Sequence, residues 1–147
     1  MTAALTIRVA TPNDAARLAE LSTQLGYPAT SENILGRLGQ ILGDREHAVF
    51  VAEARERAYV VAWVHVLVTH VLEEDSQAEI AGLVVDEAWR GRGAGRLLME
   101  RAEQWAREQG CRAVRLRSNV IRAEAHAFYE KLGYQVIKSQ KVFRKTL

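Results

Sequence analysis

The sequence predicts a single α/β domain over residues 1–147: a mixed β-sheet with helices on both faces, in the order β-α-α-β-β-β-α-β-α-β-β. Three observations predict it. The chain has 147 residues, 48% apolar and 26% charged, which suits one ordinary globular domain. Segments with period-two patterning alternate with segments of helical period. One run, Ala58–Val71, is almost continuously apolar, as expected of a central strand covered on both faces.

The elements follow in order. Leu5, Ile7 and Val9 alternate with polar residues and read as a short strand. Thr11-Pro12-Asn13-Asp14 reads as a helix start, with Thr11 as cap, Pro12 in the first turn and Asp14 near the positive helix end. Ala15, Leu18, Leu21 and Leu25 form the stripe of this helix, and Gly26-Tyr27-Pro28 ends it. A second helix spans about Ser31–Leu42. Strands follow over roughly His47–Glu53 and Ala58–Val71, joined by Ala54-Arg55-Glu56-Arg57, which lacks the Gly or Asn of a tight hairpin. Glu73–Gln77 reads as an acidic loop and Ala78–Asp86 as a further strand. A helix runs from the Arg90–Gly95 turn to about Gln109, with Leu97, Leu98, Ala102, Trp105 and Ala106 inward. Arg112–Asn119 alternates as a strand, Arg122–Leu132 is helical, and Tyr134–Ile137 and Val142–Thr146 can pair as a final hairpin.

Charge is unevenly distributed. The net charge is +2, yet residues 1–89 carry a net of −7, residues 90–117 a net of +5 and residues 118–147 a net of +4. Such a split fits solvated helix faces, or an anionic ligand at the back and a cationic one at the front. No segment reaches the roughly 18 apolar residues of a membrane span. Met1-Thr2-Ala3-Ala4 lacks the features of an export signal, so the cytoplasm is the expected compartment. The single Cys111 cannot form an internal disulfide.

A strand, a turn of three glycines and a helix make an anion-binding arrangement. Glycines let backbone N–H groups approach a ligand, and the helix N-terminus adds partial positive charge. Arg90, Arg92 and Arg96 add full charges. A pyrophosphate suits such a place. A Walker loop would need Gly-Lys-Ser/Thr, which is absent, and a dinucleotide G-x-G-x-x-G pattern is broken by Arg96.

Here the sequence resembles the GNAT superfamily of N-acetyltransferases. Arg90-Gly91-Arg92-Gly93-Ala94-Gly95 matches that family's Q/R-x-x-G-x-G/A acetyl-CoA loop, after a strand ending Val84-Val85-Asp86. A second match is Ala125-His126-Ala127-Phe128-Tyr129-Glu130-Lys131-Leu132-Gly133-Tyr134, where the family places a late helix. With the element order, the resemblance covers nearly the whole chain. It implies a GNAT-like fold and acetyl-CoA as acetyl donor, with no metal. Loop amides from Arg90 through Gly95 would hold the CoA pyrophosphate, with Arg96 beginning the helix. The backbone of Leu83, Val84 and Val85 would pair with the pantetheine arm. Asn119 would contact the pantetheine or the sulfur region, and Phe128 and Tyr129 would flank the thioester. The resemblance is also compatible with a homodimer.

Acetyl transfer to an amine needs a neutral amine, a stabilised oxyanion and a proton for the departing thiolate. A backbone amide near Leu83–Val85 is a plausible oxyanion donor. The resemblance makes Tyr129 the general acid; as a core aromatic it would share a stripe with Phe128 and Leu132. Glu79, eleven residues before Arg90, stands where histone-type members place a glutamate base; it is equally readable as a solvated strand-end charge. His65, His70 and His126 are other candidates for the base. His65 and His70 are five apart on a strand and make a poor metal pair. For the acceptor, the resemblance points to Tyr27, Glu32 and Asn33, and an acidic front half would attract an ammonium group.

The leading reading is therefore an acetyl-CoA-dependent N-acetyltransferase acting by direct attack of a primary amine, most simply that of a small cationic molecule. A protein N-terminal or lysine acetyltransferase is the alternative, favoured by chain size and by Arg117-Ser118-Asn119. A non-enzymatic acyl-CoA-binding module is a third reading. Nucleic acid and membrane are not expected partners: the arginines of 90–117 are half accounted for by CoA phosphates, and no aromatics interleave with them for base stacking.

Overall fold

The computed structural model describes residues 4–118 and 123–147. Its elements are β1 (Leu5–Val9), α1 (Ala15–Gln24), α2 (Ser31–Leu42), β2 (His47–Ala54), β3 (Tyr59–Val71), β4 (Glu74–Val85), α3 (Ala94–Glu108), β5 (Val114–Leu116) and α4 (Ala123–Lys131). They fall into two compact units, Met1–Leu116 and Arg117–Leu147.

The first unit holds a five-stranded sheet in the order β1-β2-β3-β4-β5. Neighbours are antiparallel except β4 and β5, which are parallel. The sheet is therefore mixed, as expected, with helices on both faces. Strand alternation sorts the side chains. One face carries Phe50, Ala62, Val64 and Val66 and is covered by α3, whose Leu98, Met99 and Ala102 are fully buried. The Arg101 guanidinium lies 4.5 Å above the Phe50 ring on that side. The other face packs Val49, Val51, Val60 and Val84 against Leu18 and Leu21 of α1 and Leu38 of α2.

The chain enters α1 through a 3₁₀ turn at Pro12–Asp14. The Asp14 carboxylate does more than favour the helix end. It accepts from the Thr11 N–H at 2.8 Å and from Arg8 at 2.8 and 2.9 Å, while Arg8 also reaches Glu53 at 2.9 Å. The Arg8 hydrogen bonds hold the Asp14 carboxyl below its usual range, against the opposing effect of burial.

Several expectations need correction. The acidic segment 73–77 is not a loop: β3 and β4 meet in a tight reversal at Leu72-Glu73, so Glu74 through Gln77 are the start of β4. β5 is only three residues long, Val114–Leu116, rather than Arg112–Asn119. α3 starts at Ala94, two residues before Arg96. The final hairpin is not formed; residues 135–147 carry no regular structure. Lys138-Ser139-Gln140-Lys141 lacks a residue that sets a tight reversal, and Val136, Ile137, Val142 and Phe143 stand exposed.

Candidate active site

β5 accompanies β4 for only three residues, Ala78, Glu79 and Ile80. A β-bulge follows at once: His65 pairs with Gly82 and Val66 with Ile80, leaving Ala81 as the extra residue. A bulge bends its strand and raises the local twist. From Gly82 to Val85, β4 keeps β3 on one side and has no paired strand on the other among the described residues. Such an edge offers N–H and C=O groups to an extended ligand. Leu83, Val84 and Val85 lie on it. The Val84 side chain is buried in the core under α1 and α2, which fixes the backbone.

The strand ends at Asp86, which is clamped. Its N–H donates to the Val61 carbonyl at 2.8 Å, and its carboxylate accepts from the Ala88 N–H at 3.0 Å and from Arg17. Arg17 also donates to the Val60 carbonyl at 2.8 Å and lies 4.2 Å from the Tyr59 ring centre. Burial works against the Asp86 carboxylate, but the Ala88 N–H and Arg17 outweigh it and hold its pKa below the usual value. A 3₁₀ turn, Glu87–Trp89, then leads into the glycine loop.

Gly91 and Gly93 both have left-handed backbones, φ 77° and 89°. That conformation favours glycine. A Cβ at either position would meet nothing within 4 Å, so the space beyond them is open. Gly93 is the N-cap of α3 and supplies no side-chain hydrogen bond. The first N–H groups of α3, from Ala94, Gly95 and Arg96, have no acceptor within their own helix by geometry. Arg90, Arg92 and Arg96 are exposed around this turn; Arg92 lies 4.8 Å from the Trp89 ring centre, and Arg96 bonds Glu100 at 3.0 Å. The place has the donors and the charge for a pyrophosphate.

Glu79 lies on the sheet face opposite α3, in one cross-strand row with His47, Leu67 and Arg115. It is not a solvated strand-end charge. Its side chain is 16% exposed and stands 3.8 Å from Arg115 Nε, whose side chain is equally covered. Arg115 also donates to Glu74 at 3.1 Å. The neighbouring row holds Val49, His65 and Gly82. Gly82 is bare for a reason: a Cβ there would come within 2.9 Å of the Trp63 ring, which lies over it. His65 Nε2 stands 2.9 Å from His47 Nδ1. Burial, and to a lesser degree His47, push the His65 imidazole down to about 4. His70 is separate, bonded to Ser76 and Glu46.

The acceptor candidates are scattered in role. Tyr27 is exposed in the connection between α1 and α2, and Glu32 is exposed in the first turn of α2. Asn33 is engaged in the capping box of α2, its N–H donating to Thr30 Oγ1 at 3.1 Å and its Oδ1 accepting from the Thr30 N–H.

In the second unit, Gly133 (φ 96°) closes α4 in a Schellman motif: the Tyr134 N–H donates to Tyr129 at 3.1 Å and the Gly133 N–H to Glu130 at 3.0 Å. That turn folds Tyr134 back on Tyr129, ring centres 6.0 Å apart, and Phe128 meets Tyr129 edge-on at 5.2 Å. Asn119 lies outside the described residues. Among the described residues no group of three or more His, Cys, Asp or Glu could hold a metal ion, and no helix is long and apolar enough to cross a membrane. Burial pushes the half-buried Cys111 thiol up, which makes it a weaker nucleophile.

The sequence profile of the Acetyltransferase (GNAT) family matches residues 13–134. The chain belongs to that family. It is a GNAT N-acetyltransferase whose acetyl donor is acetyl-CoA, and the open glycine turn and bare β4 edge fit that donor. Among its relatives is an aminoglycoside N(6')-acetyltransferase type 1 of Stenotrophomonas maltophilia, 34% identical over 97% of this chain and 94% of the relative. Another of the same name, from Serratia marcescens, is 25% identical over 86% and 89%. In structure, the aminoglycoside 6'-N-acetyltransferase of Acinetobacter haemolyticus superposes with a TM-score of 0.82 at 20% identity, over 97% of this chain and 99% of that one. This last likeness speaks for the fold alone. Membership in an enzyme family also disposes of the non-enzymatic reading.

Sequence reasoning missed several side-chain partners. Arg115 as the partner of Glu79, Arg17 as the clamp on Asp86, and the His47–His65 contact were not foreseen. The last was within reach. In an antiparallel pair, residues with a constant number sum face each other, and His47 and His65 are then diagonal neighbours.

Proposed function

We propose that this GNAT N-acetyltransferase acetylates a primary amine of a small cationic molecule of the aminoglycoside kind, and that its 147 residues act as one catalytic domain. The observation that carries the reading is the open, acid-bearing sheet face beside the bare β4 edge, where Glu79 and Glu74 bracket one arginine, Arg115. Carboxylates on that face favour an ammonium ligand. The extent of the match to the Stenotrophomonas maltophilia enzyme supports the same substrate class.

Roles follow from the chemistry. Amides from Arg90 to Gly95 and the start of α3 bind the pyrophosphate, and Leu83–Val85 align the pantetheine arm and offer an N–H to the developing oxyanion. Glu79 receives the amine's proton directly or through water, Tyr129 protonates the thiolate, and Phe128 packs beside the thioester. Asn119 contacts the pantetheine. Tyr27, Glu32 and Asn33 border the acceptor, with Asn33 acting through the α2 cap.

The test is thiol release from acetyl-CoA across a panel of aminoglycosides, polyamines and amino-acid amides, run beside N-terminal and lysine peptides. Release with cationic small amines is expected. Release with peptides alone overturns the acceptor assignment in favour of a protein acetyltransferase. Gly93→Asp is expected to abolish acetyl-CoA binding, because it puts bulk and negative charge into the phosphate site; normal affinity by calorimetry would move that site elsewhere.

A further inference from the structure

The α3 face of this sheet is apolar, yet the other face carries one half-buried titratable pair that acetyl transfer as described does not use. His65 projects from the middle of β3 onto the open face. Its cross-strand neighbour is Gly82, the residue at which β4 leaves β5. The same face places Glu79 one row away. On its other side His65 Nε2 meets His47 Nδ1 at 2.9 Å, and His47 Nε2 stands 3.8 Å from Asp44 Oδ2. Exposure rises along the line: the side chain of His47 is 27% exposed and that of Asp44 51%. Three side chains thus lead from the splay point of the sheet to water.

We propose that His65 and His47 form the route by which the proton lost from the acceptor amine is carried along this half-covered face to solvent, with Asp44 at its outer end. This rests on the acetyl-transfer reading above. In the transfer the amine nitrogen bonds the acetyl carbon, the carbon–sulfur bond breaks, and the sulfur takes a proton from the general acid. The nitrogen must shed one proton for a neutral amide to form. That proton, passed from Glu79 or from a water, arrives at His65 Nδ1. The Nε2 proton of His65 moves to His47 Nδ1, and His47 releases its own Nε2 proton beside Asp44. The rings then return to their starting tautomers.

Two further facts suit a relay rather than a store. His65 is held neutral at neutral pH, so it passes a proton on and does not retain one. Among the described residues, the titratable and charged groups toward it include His47 and Asp44, Glu79, and Arg115 beyond Glu79. The α2 residues packed toward the sheet are Ile34, Leu38 and Ile41, which add no charge.

The experiment compares wild type, His65→Ala and His47→Gln with an amine that the wild type acetylates. Expected for both variants is a kcat about 10- to 100-fold lower with KM for acetyl-CoA unchanged. A larger solvent isotope effect on kcat and recovery of His65→Ala by added imidazole are also expected. Acetyl-CoA binding and circular dichroism report folding, and His47→Gln, nearer the surface, stands in if His65→Ala does not fold. Wild-type kcat and isotope effect in either folded variant overturn the relay alone. Absence of transfer to every amine by the wild type overturns the acetyl-transfer reading, and the relay with it.

Discussion

The two faces of the sheet come from the same strands and are built to opposite ends. Under α3, the β3 residues Ala62, Val64 and Val66 and the β4 residue Ala78 are completely buried. On the other face, Trp63, His65 and Leu67 alternate with them and are only half covered. α1 and α2 cover that face around Val49, Val51, Val60 and Val84 and leave the rest open. One face is therefore sealed along the middle of β3, and the other has a packed end under α1 and α2 and a half-covered stretch that holds polar side chains. Burial of apolar area at about 25 cal/mol per Å² favours the sealed face and is partly forgone on the open one.

The difference is sharpest when a charge is inserted on each side. Val66→Asp, on the sealed face, is expected to cost at least about 4 kcal/mol and to prevent stable folding, because a carboxylate would be buried without a partner. Leu67→Asp, the next residue, is expected to cost about 1 kcal/mol. Urea denaturation of both compares them, and equal losses would erase the distinction between the faces.

A smaller effect is expected where the open face is anchored. Arg17→Met removes the partner of the buried Asp86 carboxylate and frees the end of β4. A loss of about 2–3 kcal/mol is expected, since an ion left unpaired in a covered site is more costly than the pair was worth. Arg17→Met combined with Asp86→Asn should recover part of it. No recovery would mean that Arg17 acts through Tyr59 packing instead.

The sequence was informative in proportion to how local the cause was. The Arg90–Gly95 turn, the α2 stripe and the Gly133 helix end were legible because each depends on neighbouring residues and their φ angles. β3 was legible as central, but its apolar run predicted cover on both faces. His65 within that run marks where cover stops on one of them. The strand start at Glu74 was hidden because its side chains are solvated and satisfied by contacts from afar, Arg115 among them. The splay of β4 depends on how few residues of β5 pair with it, and no local pattern records that. The hairpin expected beyond Tyr134 rested on alternation alone, without a turn residue to enforce it.

The open face should also be the one that feels acid. His65 is pushed from an ordinary value of 6.5 down to about 4, so between those values the unfolded chain binds the extra proton. This contribution is fully present above about pH 6.5 and is lost as pH falls toward 4. By pH 5 the loss amounts to about 2 kcal/mol relative to pH 7. His65→Gln should flatten that part of the pH–stability curve. A curve unchanged between pH 7 and pH 5 would show that the imidazole is solvated and that this stretch of sheet is more open than described.

The smallest effect tests what shapes the open face at its centre. Gly82 leaves room for the Trp63 ring, and a Cβ there would press within 2.9 Å of one ring carbon and 3.0 Å of another. Gly82 does not need a left-handed backbone, so Gly82→Ala probes packing and little else. Two opposed effects operate: alanine restricts the unfolded chain, which stabilises, and it overpacks the tryptophan, which destabilises. The ring is pinned between that glycine and the core under α1 and α2, so it cannot swing away as a flexible chain end would. Overpacking should win, with a net loss of about 1 kcal/mol and a changed Trp63 fluorescence. A gain in stability would mean that Trp63 yields easily, and that this face is adaptable as well as open.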